Sequence, residues 1–118
     1  MLTQGTLRAA RYLDLLSMSQ RVTASNIANA DTPGYRTRAL DFDSALDEAM
    51  QRPAKRPTFE PQVRELGGLA VKNDGNDVVL DSELRNLSET AIRFSHALLV
   101  MRGGIRQLRQ AIQEGRGA

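Results

Sequence analysis

The chain has 118 residues, enough for one domain, and its 41% hydrophobic and 25% charged residues are ordinary for a soluble protein. It has no cysteine and one histidine, His96. This composition excludes disulfides, thiolate metal sites and any site that needs two histidines from one chain. The formal charge of +2 divides into basic ends and an acidic middle without a run of five like charges. That pattern does not favour a nucleic-acid-binding surface.

The first predicted element is a helix over about residues 6–30. Residues at heptad spacing form one stripe along it, and they are Ala9, Leu13, Leu16, Gln20, Thr23 and Ile27. The two central positions are polar, and polar positions in a helix seam reduce stability while fixing register and partner choice. We therefore expect this helix to need a partner helix. It should end before Pro33-Gly34, since proline disfavours helical geometry at the residue before it and glycine permits a turn.

The middle of the chain, residues 36–81, is predicted to be irregular. Residues 41–51 have the pattern of a short amphipathic helix, and Pro53, Pro57 and Pro61 then indicate an extended linker. Further on, residues 69–72 and 78–80 flank a sequence rich in turn formers, which predicts a β-hairpin.

The C-terminal region, residues 82–118, contains the strongest periodic signal. Nine apolar residues alternate in steps of three and four, and they are Leu84, Leu87, Ala91, Phe94, Leu98, Met101, Ile105, Leu108 and Ile112. One face of an ordinary globular helix would give part of this pattern, but its length favours a coiled-coil-like seam. The predicted fold is therefore mainly α, with long N- and C-terminal helices packed as an antiparallel pair in one structural domain.

Two adjacent glycines, Gly103 and Gly104, interrupt this seam. Glycine inside a helix costs about 1 kcal/mol relative to alanine. The pair predicts either a break between two helices or a close approach of a neighbouring backbone, and the sequence does not decide between them.

Residues that could carry chemistry are sparse. His96 lies off the seam, the carboxylates near residues 41–48 are expected on the solvated side of the short helix, and the loop at 74–77 lacks the ligand spacing of a calcium site. We therefore expect no enzyme activity, no cofactor and no metal. The absence of a long apolar run and of a signal-peptide pattern predicts no membrane insertion and no cleaved signal.

The segment from residue 24 to residue 35 is the most informative. It combines small residues, two asparagines three positions apart and a Pro-Gly stop, and we call its nine marked residues the signature: Ala24, Asn26, Ile27, Asn29, Asp31, Thr32, Pro33, Gly34 and Tyr35. Asn26 and Asn29 fall on one helix face, where their amides could bond adjacent chains. A fraying helix end would have a similar composition.

The signature closely resembles that of the bacterial flagellar axial proteins, the family of the rod and hook. The continuation through Arg36 to Asp41-Phe42, the later Asp74-Gly75-Asn76, and the sequence from Ala91 to Phe94 are most similar to proximal rod members. The resemblance covers about two thirds of the chain.

This resemblance implies a non-catalytic structural subunit of the basal-body rod, exported by the flagellar type III apparatus without a cleaved signal peptide. It implies assembly in the periplasm into the tubular drive shaft needed for motility. The implied partners are other copies of the chain, other rod proteins, and proteins at the junction of the inner-membrane ring and export gate. The alternative is a soluble helical adaptor or export chaperone that dimerises through its heptads.

Overall fold

The structure is a computed structural model, and it describes residues 4–51 and 61–117. Its elements in chain order are α1 (Gln4–Ala28), β1 (Arg38–Leu40), α2 (Phe42–Gln51), β2 (Val63–Glu65) and α3 (Leu80–Gly117). The molecule is a rod of 71 × 26 × 16 Å, because α1 and α3 run along its length.

Helices α1 and α3 pack side by side in opposite directions. Asn26, near the end of α1, hydrogen-bonds Glu83 at the start of α3, and Thr6, near the start of α1, lies against Gly104. The stripe predicted along α1 faces inward, since each of its six residues is buried or half-buried. The mainly α fold with an antiparallel pair of terminal helices is confirmed.

The face that α3 buries differs from the predicted seam. Its buried residues recur every seven positions and carry small or polar side chains: Glu83, Thr90 and Ala97. Gly104, seven residues further on, is half-buried and lies against Thr6. Of the predicted seam, Leu87, Phe94, Leu98, Met101, Ile105 and Leu108 are half-buried, whereas Leu84, Ala91 and Ile112 are exposed. The apolar stripe is broader than the contact, so α1 covers one edge of it and leaves the other edge in solvent.

The two glycines do not break α3, which continues as one helix to Gly117. A Cβ on Gly104 would lie 2.0 Å from Oγ1 of Thr6, whereas a Cβ on Gly103 would meet nothing within 4 Å. The predicted break is therefore wrong. A neighbour does come close at Gly104, but the atoms that do so belong to the side chain of Thr6 rather than to the predicted neighbouring backbone. Glycine at this position lets the start of α1 lie directly on α3.

The short helix predicted over 41–51 is confirmed as α2. Its Ala45 and Ala49 are buried against Leu15 of α1, and the rings of Tyr12 and Phe42 meet edge to face at a centroid distance of 5.8 Å. Alanine at these positions allows α2 to lie close to α1. Helix α1 therefore lies between α2 and α3.

The sheet in the middle is not the predicted one. Strands β1 and β2 pair antiparallel with Ala39 opposite Arg64, and the amide of Leu66 extends the ladder by donating to the carbonyl of Thr37 at 2.8 Å. Strands this short carry almost no periodic signal. The linker predicted from Pro53 and Pro57 lies outside the described residues.

The hairpin predicted over 69–72 and 78–80 is wrong. The amide of Lys72 donates to the carbonyl of Asn76 at 2.8 Å, so the chain turns back at once, and residue 80 already belongs to α3. The side chains of Asp74 and Asn76 accept hydrogen bonds from the amides of Asn76 and Val78. Local side-chain acceptors of this kind compete with a strand ladder for the backbone donors.

Candidate functional site

The two loop motifs of the sequence meet in one place. The amide of Gly34 donates to the carbonyl of Asp74 at 2.9 Å, and the amide of Asp77 donates to the carbonyl of Tyr35 at 3.2 Å. Gly34 and Gly75 both have positive φ, 76° and 88°, which side chains strongly disfavour. We call this contact between residues 29–37 and 72–78 the junction.

Asn76 fastens the junction to the end of α1. Its side chain has 0% exposure, and its Nδ2 donates to the carbonyls of Asn29 at 2.9 Å and Thr32 at 2.8 Å. Carbonyls at the end of a helix have no partner within the helix. Asn76 therefore fixes the turn that follows α1, where the carbonyl of Asn29 also accepts from the amide of Thr32 at 3.1 Å.

Asn26 joins three elements from the interior. Its Nδ2 donates to the carbonyl of Arg38 at 2.8 Å and to Oε2 of Glu83 at 3.1 Å, and its Oδ1 accepts from the amide of Arg38 at 3.1 Å and the hydroxyl of Tyr35 at 2.9 Å. It is 1% exposed. The amide therefore has its donors and acceptor occupied within the chain, which places Asn26 inside the monomer rather than on the surface predicted to bond adjacent chains.

Asp77 is the buried carboxylate of the junction. It accepts hydrogen bonds from the amide of Thr37 at 2.5 Å and from its hydroxyl at 2.9 Å, with the Arg36 guanidinium 3.7 Å away. The amide hydrogen bond from Thr37 is the largest influence on the pKa of Asp77, and together with the hydroxyl and Arg36 it outweighs burial and lowers that pKa below 3.8. Asp77 is therefore ionised at neutral pH and holds the start of β1.

The signature divides into an inner and an outer part. Asn26 is buried and Ile27, Asn29 and Tyr35 are half-buried, whereas the exposed residues are Ala24, Asp31, Thr32, Pro33 and Gly34. Sequence reasoning missed Thr37, Asn76, Asp77 and Glu83 as members of the site. The signal available for Asn76 and Asp77 is their place in a turn-rich loop, whose composition predicts the tip of a hairpin.

Comparison with known proteins shows which family the chain resembles. The family model described as "Flagella basal body rod protein" matches residues 13–36, which end inside the junction. Three similar proteins are each named "Flagellar basal body rod protein FlgB". That of Escherichia coli (strain K12) is 33% identical, over 87% of this chain and 88% of its own. That of Borrelia hermsii is 33% identical, over 74% of this chain and 79% of its own. That of Yersinia enterocolitica is 30% identical, over 87% of this chain and 89% of its own.

The chain belongs to the FlgB family of flagellar basal body rod proteins. This confirms the resemblance drawn from the signature, and it makes the chain a structural subunit of the flagellar rod. The alternative of a soluble adaptor or export chaperone is not favoured. In this chain, the signature and the loop before α3 form one structural unit.

Proposed function

We propose that this chain builds the proximal rod by packing the exposed faces of its terminal helices against other copies of itself and against other rod proteins. The resulting tube is the periplasmic part of the drive shaft. The observation that supports this proposal most directly is the apolar face that α3 leaves uncovered. Contacts of one surface with a different surface, repeated by a screw operation, produce an open filament of this kind.

The uncovered face consists of small and apolar side chains within about a third of the helix circumference: Leu84, Ser88, Ala91, Ile92, Ser95 and Leu99. Ile92 is 62% and Leu99 is 63% exposed. A contiguous exposed face of apolar residues is typical of an interaction site. Small residues among them permit close approach of a second helix, which supports helix-to-helix packing between subunits.

The outer residues of the signature supply a second contact in this proposal. Ala24 is exposed on α1, and Asp31, Thr32 and Pro33 are exposed in the junction, where Asn76 holds the carbonyl of Thr32. A fixed turn costs less entropy to bind than a mobile one. We infer that these outer residues meet a neighbouring rod subunit, while Asn26 and Tyr35 hold the turn from within.

The remaining parts of the proposal follow from the family. The subunit would be exported without a cleaved signal peptide and would contact proteins at the inner-membrane ring and export gate. Its role would be structural and not enzymatic. Among the described residues, no helix is long and apolar enough to cross a membrane, and no group of three or more acidic, histidine or cysteine side chains is placed to hold a metal.

The test replaces the centre of the uncovered face. Ile92→Glu with Leu99→Glu should leave export intact but reduce incorporation into purified basal bodies at least tenfold and abolish swimming, because two charges would enter an apolar contact. Val100→Glu with Gln107→Glu is the matched control, since both side chains are exposed on the same helix, lie seven residues apart as Ile92 and Leu99 do, and lie outside the uncovered face. Incorporation of the Ile92/Leu99 variant at the wild-type level would overturn the proposal.

A further inference from the structure

The last third of α3 carries a row of arginines on one side. Arg102, Arg106, Arg109 and Arg116 are all exposed, and steps of four, three and seven residues keep them on one face of the helix. We call them the basic stripe. Because Thr6 lies against Gly104, α3 runs about ten residues, or about 15 Å, beyond the described start of α1. Arg109 and Arg116 therefore lie past the described start of α1, whereas Arg102 and Arg106 lie alongside it.

The basic stripe has no counter-charge within the described part of the chain. The ion pairs found there join Arg36 to Asp77, Arg64 to Asp41, Arg85 to Asp81, and Arg93 to Glu89. None of them includes an arginine of the stripe. Four guanidinium groups aligned without partners favour a contact with an acidic surface.

Helix α2 presents such a surface. Asp43 and Asp47 are exposed, lie one turn apart on one helix face, and take part in none of those ion pairs. Their spacing of four residues equals that of Arg102 and Arg106, so two side-by-side helices can match the charges in pairs. We call this pair of aspartates the acidic face.

The two surfaces cannot meet within one chain. Helix α2 packs on α1 through Ala45 and Leu15, and its first residues, Phe42 and Asp43, line one pocket with Glu89 and Arg93 of α3. Arg102 points away from α1, since it is turned about 200° around the helix from Gly104, which touches α1. A contact between the basic stripe and the acidic face therefore requires two molecules.

We propose that the basic stripe of one copy docks on the acidic face of α2 in the next copy along the rod. The inference rests on the proposed function, because it takes repeated contacts between copies as given and assigns the surfaces that make one of them. The contact joins two different surfaces, so it can repeat from copy to copy. In a row of such copies, the basic stripe stays free at one end and the acidic face stays free at the other. Exposed charge pairs act mainly on orientation and choice of partner, so the stripe would set the offset between copies that the apolar face holds together.

The absence of native cysteine makes the contact directly testable. Two tagged copies, one carrying Arg106→Cys and the other Asp47→Cys, are expressed together, and basal bodies are oxidised and analysed for a disulfide-linked dimer. We expect that dimer, and we expect none from the control pair Arg8→Cys with Asp47→Cys, because Arg8 is exposed on α1 outside both surfaces. Absence of the dimer while both tagged copies are present in the basal bodies would overturn the proposal, as would a cross-link from Arg106→Cys to a different protein.

A charge exchange provides the second test. Arg102→Glu with Arg106→Glu should reduce incorporation at least tenfold, and adding Asp43→Asn and Asp47→Lys to the same chain should restore at least half of it. Wild-type incorporation of the first variant, or no recovery in the second, would contradict the proposal. Failure of the proposed function itself would look different, since the tagged chain without these changes would then be absent from basal bodies.

Discussion

The backbones of Gly34 and Gly75 touch, and a Cβ on Gly75 would lie 3.3 Å from the Cα of Gly34. One glycine belongs to the turn after α1 and the other to the loop before α3. Their contact makes two separate sequence motifs into one structure that fixes how the two long helices are connected. The middle of the chain is attached to that connection through Thr37 and Asp77.

Replacing Gly75 by alanine should destabilise the junction through both its conformation and its contact. The positive φ costs about 1–2 kcal/mol for an L-residue, and the Cβ adds a contact tighter than most, which requires the backbone of Gly34 to shift. Gly67→Ala is the control, because Gly67 also has positive φ but nothing lies within 4 Å of its Cβ position. Urea unfolding followed by circular dichroism should show a larger loss for Gly75→Ala, and equal losses would mean that the contact with Gly34 is unimportant.

Removing the amide of Asn26 should destabilise the folded chain rather than act on assembly alone. Asn26→Ala leaves the buried Glu83 carboxylate and both backbone groups of Arg38 without this partner, at a cost of about 3 kcal/mol in the free energy of unfolding. Asn29→Ala removes a half-buried amide that donates to the carbonyl of Ser25 and accepts from the hydroxyl of Thr32, both at the surface, so its cost should be about 1 kcal/mol and below that of Asn26→Ala. Equilibrium unfolding of the two single variants separates these roles, and similar losses would contradict the assignment.

The ionised Asp77 should make the junction sensitive to acid. Its pKa is lower in the folded chain than its ordinary value of 3.8, so the folded state holds the proton less tightly than the unfolded state. The resulting stability is fully present above about pH 4 and is lost as pH falls through the folded pKa. Asp77→Asn should cost about 2 kcal/mol at pH 7 and flatten the decline of stability below pH 4.

The control for this pH dependence is Asp14→Asn, a change at an exposed carboxylate of α1. It should leave both the stability at pH 7 and the acid profile close to those of the wild type. An Asp77→Asn variant with the same acid profile as the wild type would show that Asp77 does not carry the effect.

The adjacent glycines of α3 should respond in opposite directions. Gly103→Ala should stabilise the chain by up to about 1 kcal/mol, since the site is open and alanine is the better helix former. Gly104→Ala should destabilise it, because its Cβ would lie 2.0 Å from Oγ1 of Thr6. Thermal unfolding measures both, and the change in Gly104→Ala should be smaller in a Thr6→Ala background. A stabilising Gly104→Ala would contradict the close approach of the helices.

The sequence was sufficient for the large features of the fold and insufficient for its buried polar contacts. The terminal helices and α2 carry helical periodicity over at least ten residues, which gives their positions and the inward face of α1. On α3, periodicity predicted a helix but not which edge of a broad apolar stripe would be covered. The hydrogen bond between Asn26 and Glu83 helps to set which edge of α3 faces α1. A hydrogen bond between residues this far apart in the chain cannot be predicted from a single sequence.

Of the junction, only the signature could be predicted from the sequence, because the contacts of the loop before α3 also join residues that are far apart in the chain. The signature was recognised, and its inner and outer parts could not be told apart because helical spacing places Asn26 and Asn29 on one face. The loop at residues 72–77 has the composition of a hairpin turn. Its side chains instead bond the end of α1, and the sheet forms between three-residue strands that lie far apart along the chain.

The residues that α3 turns toward α1 every seven positions decrease in size along the helix, from the buried Glu83, Thr90 and Ala97 to the half-buried Gly104. A slide of α1 by seven residues would place the methyl group of Ala97 or Ala111 where only a hydrogen atom fits beside Thr6. Uniform leucine seams tolerate such slippage because every step presents the same side chain. The graded series therefore disfavours a shift of register between α1 and α3. The helix pair then has one defined length, so each subunit keeps a fixed distance between its two ends.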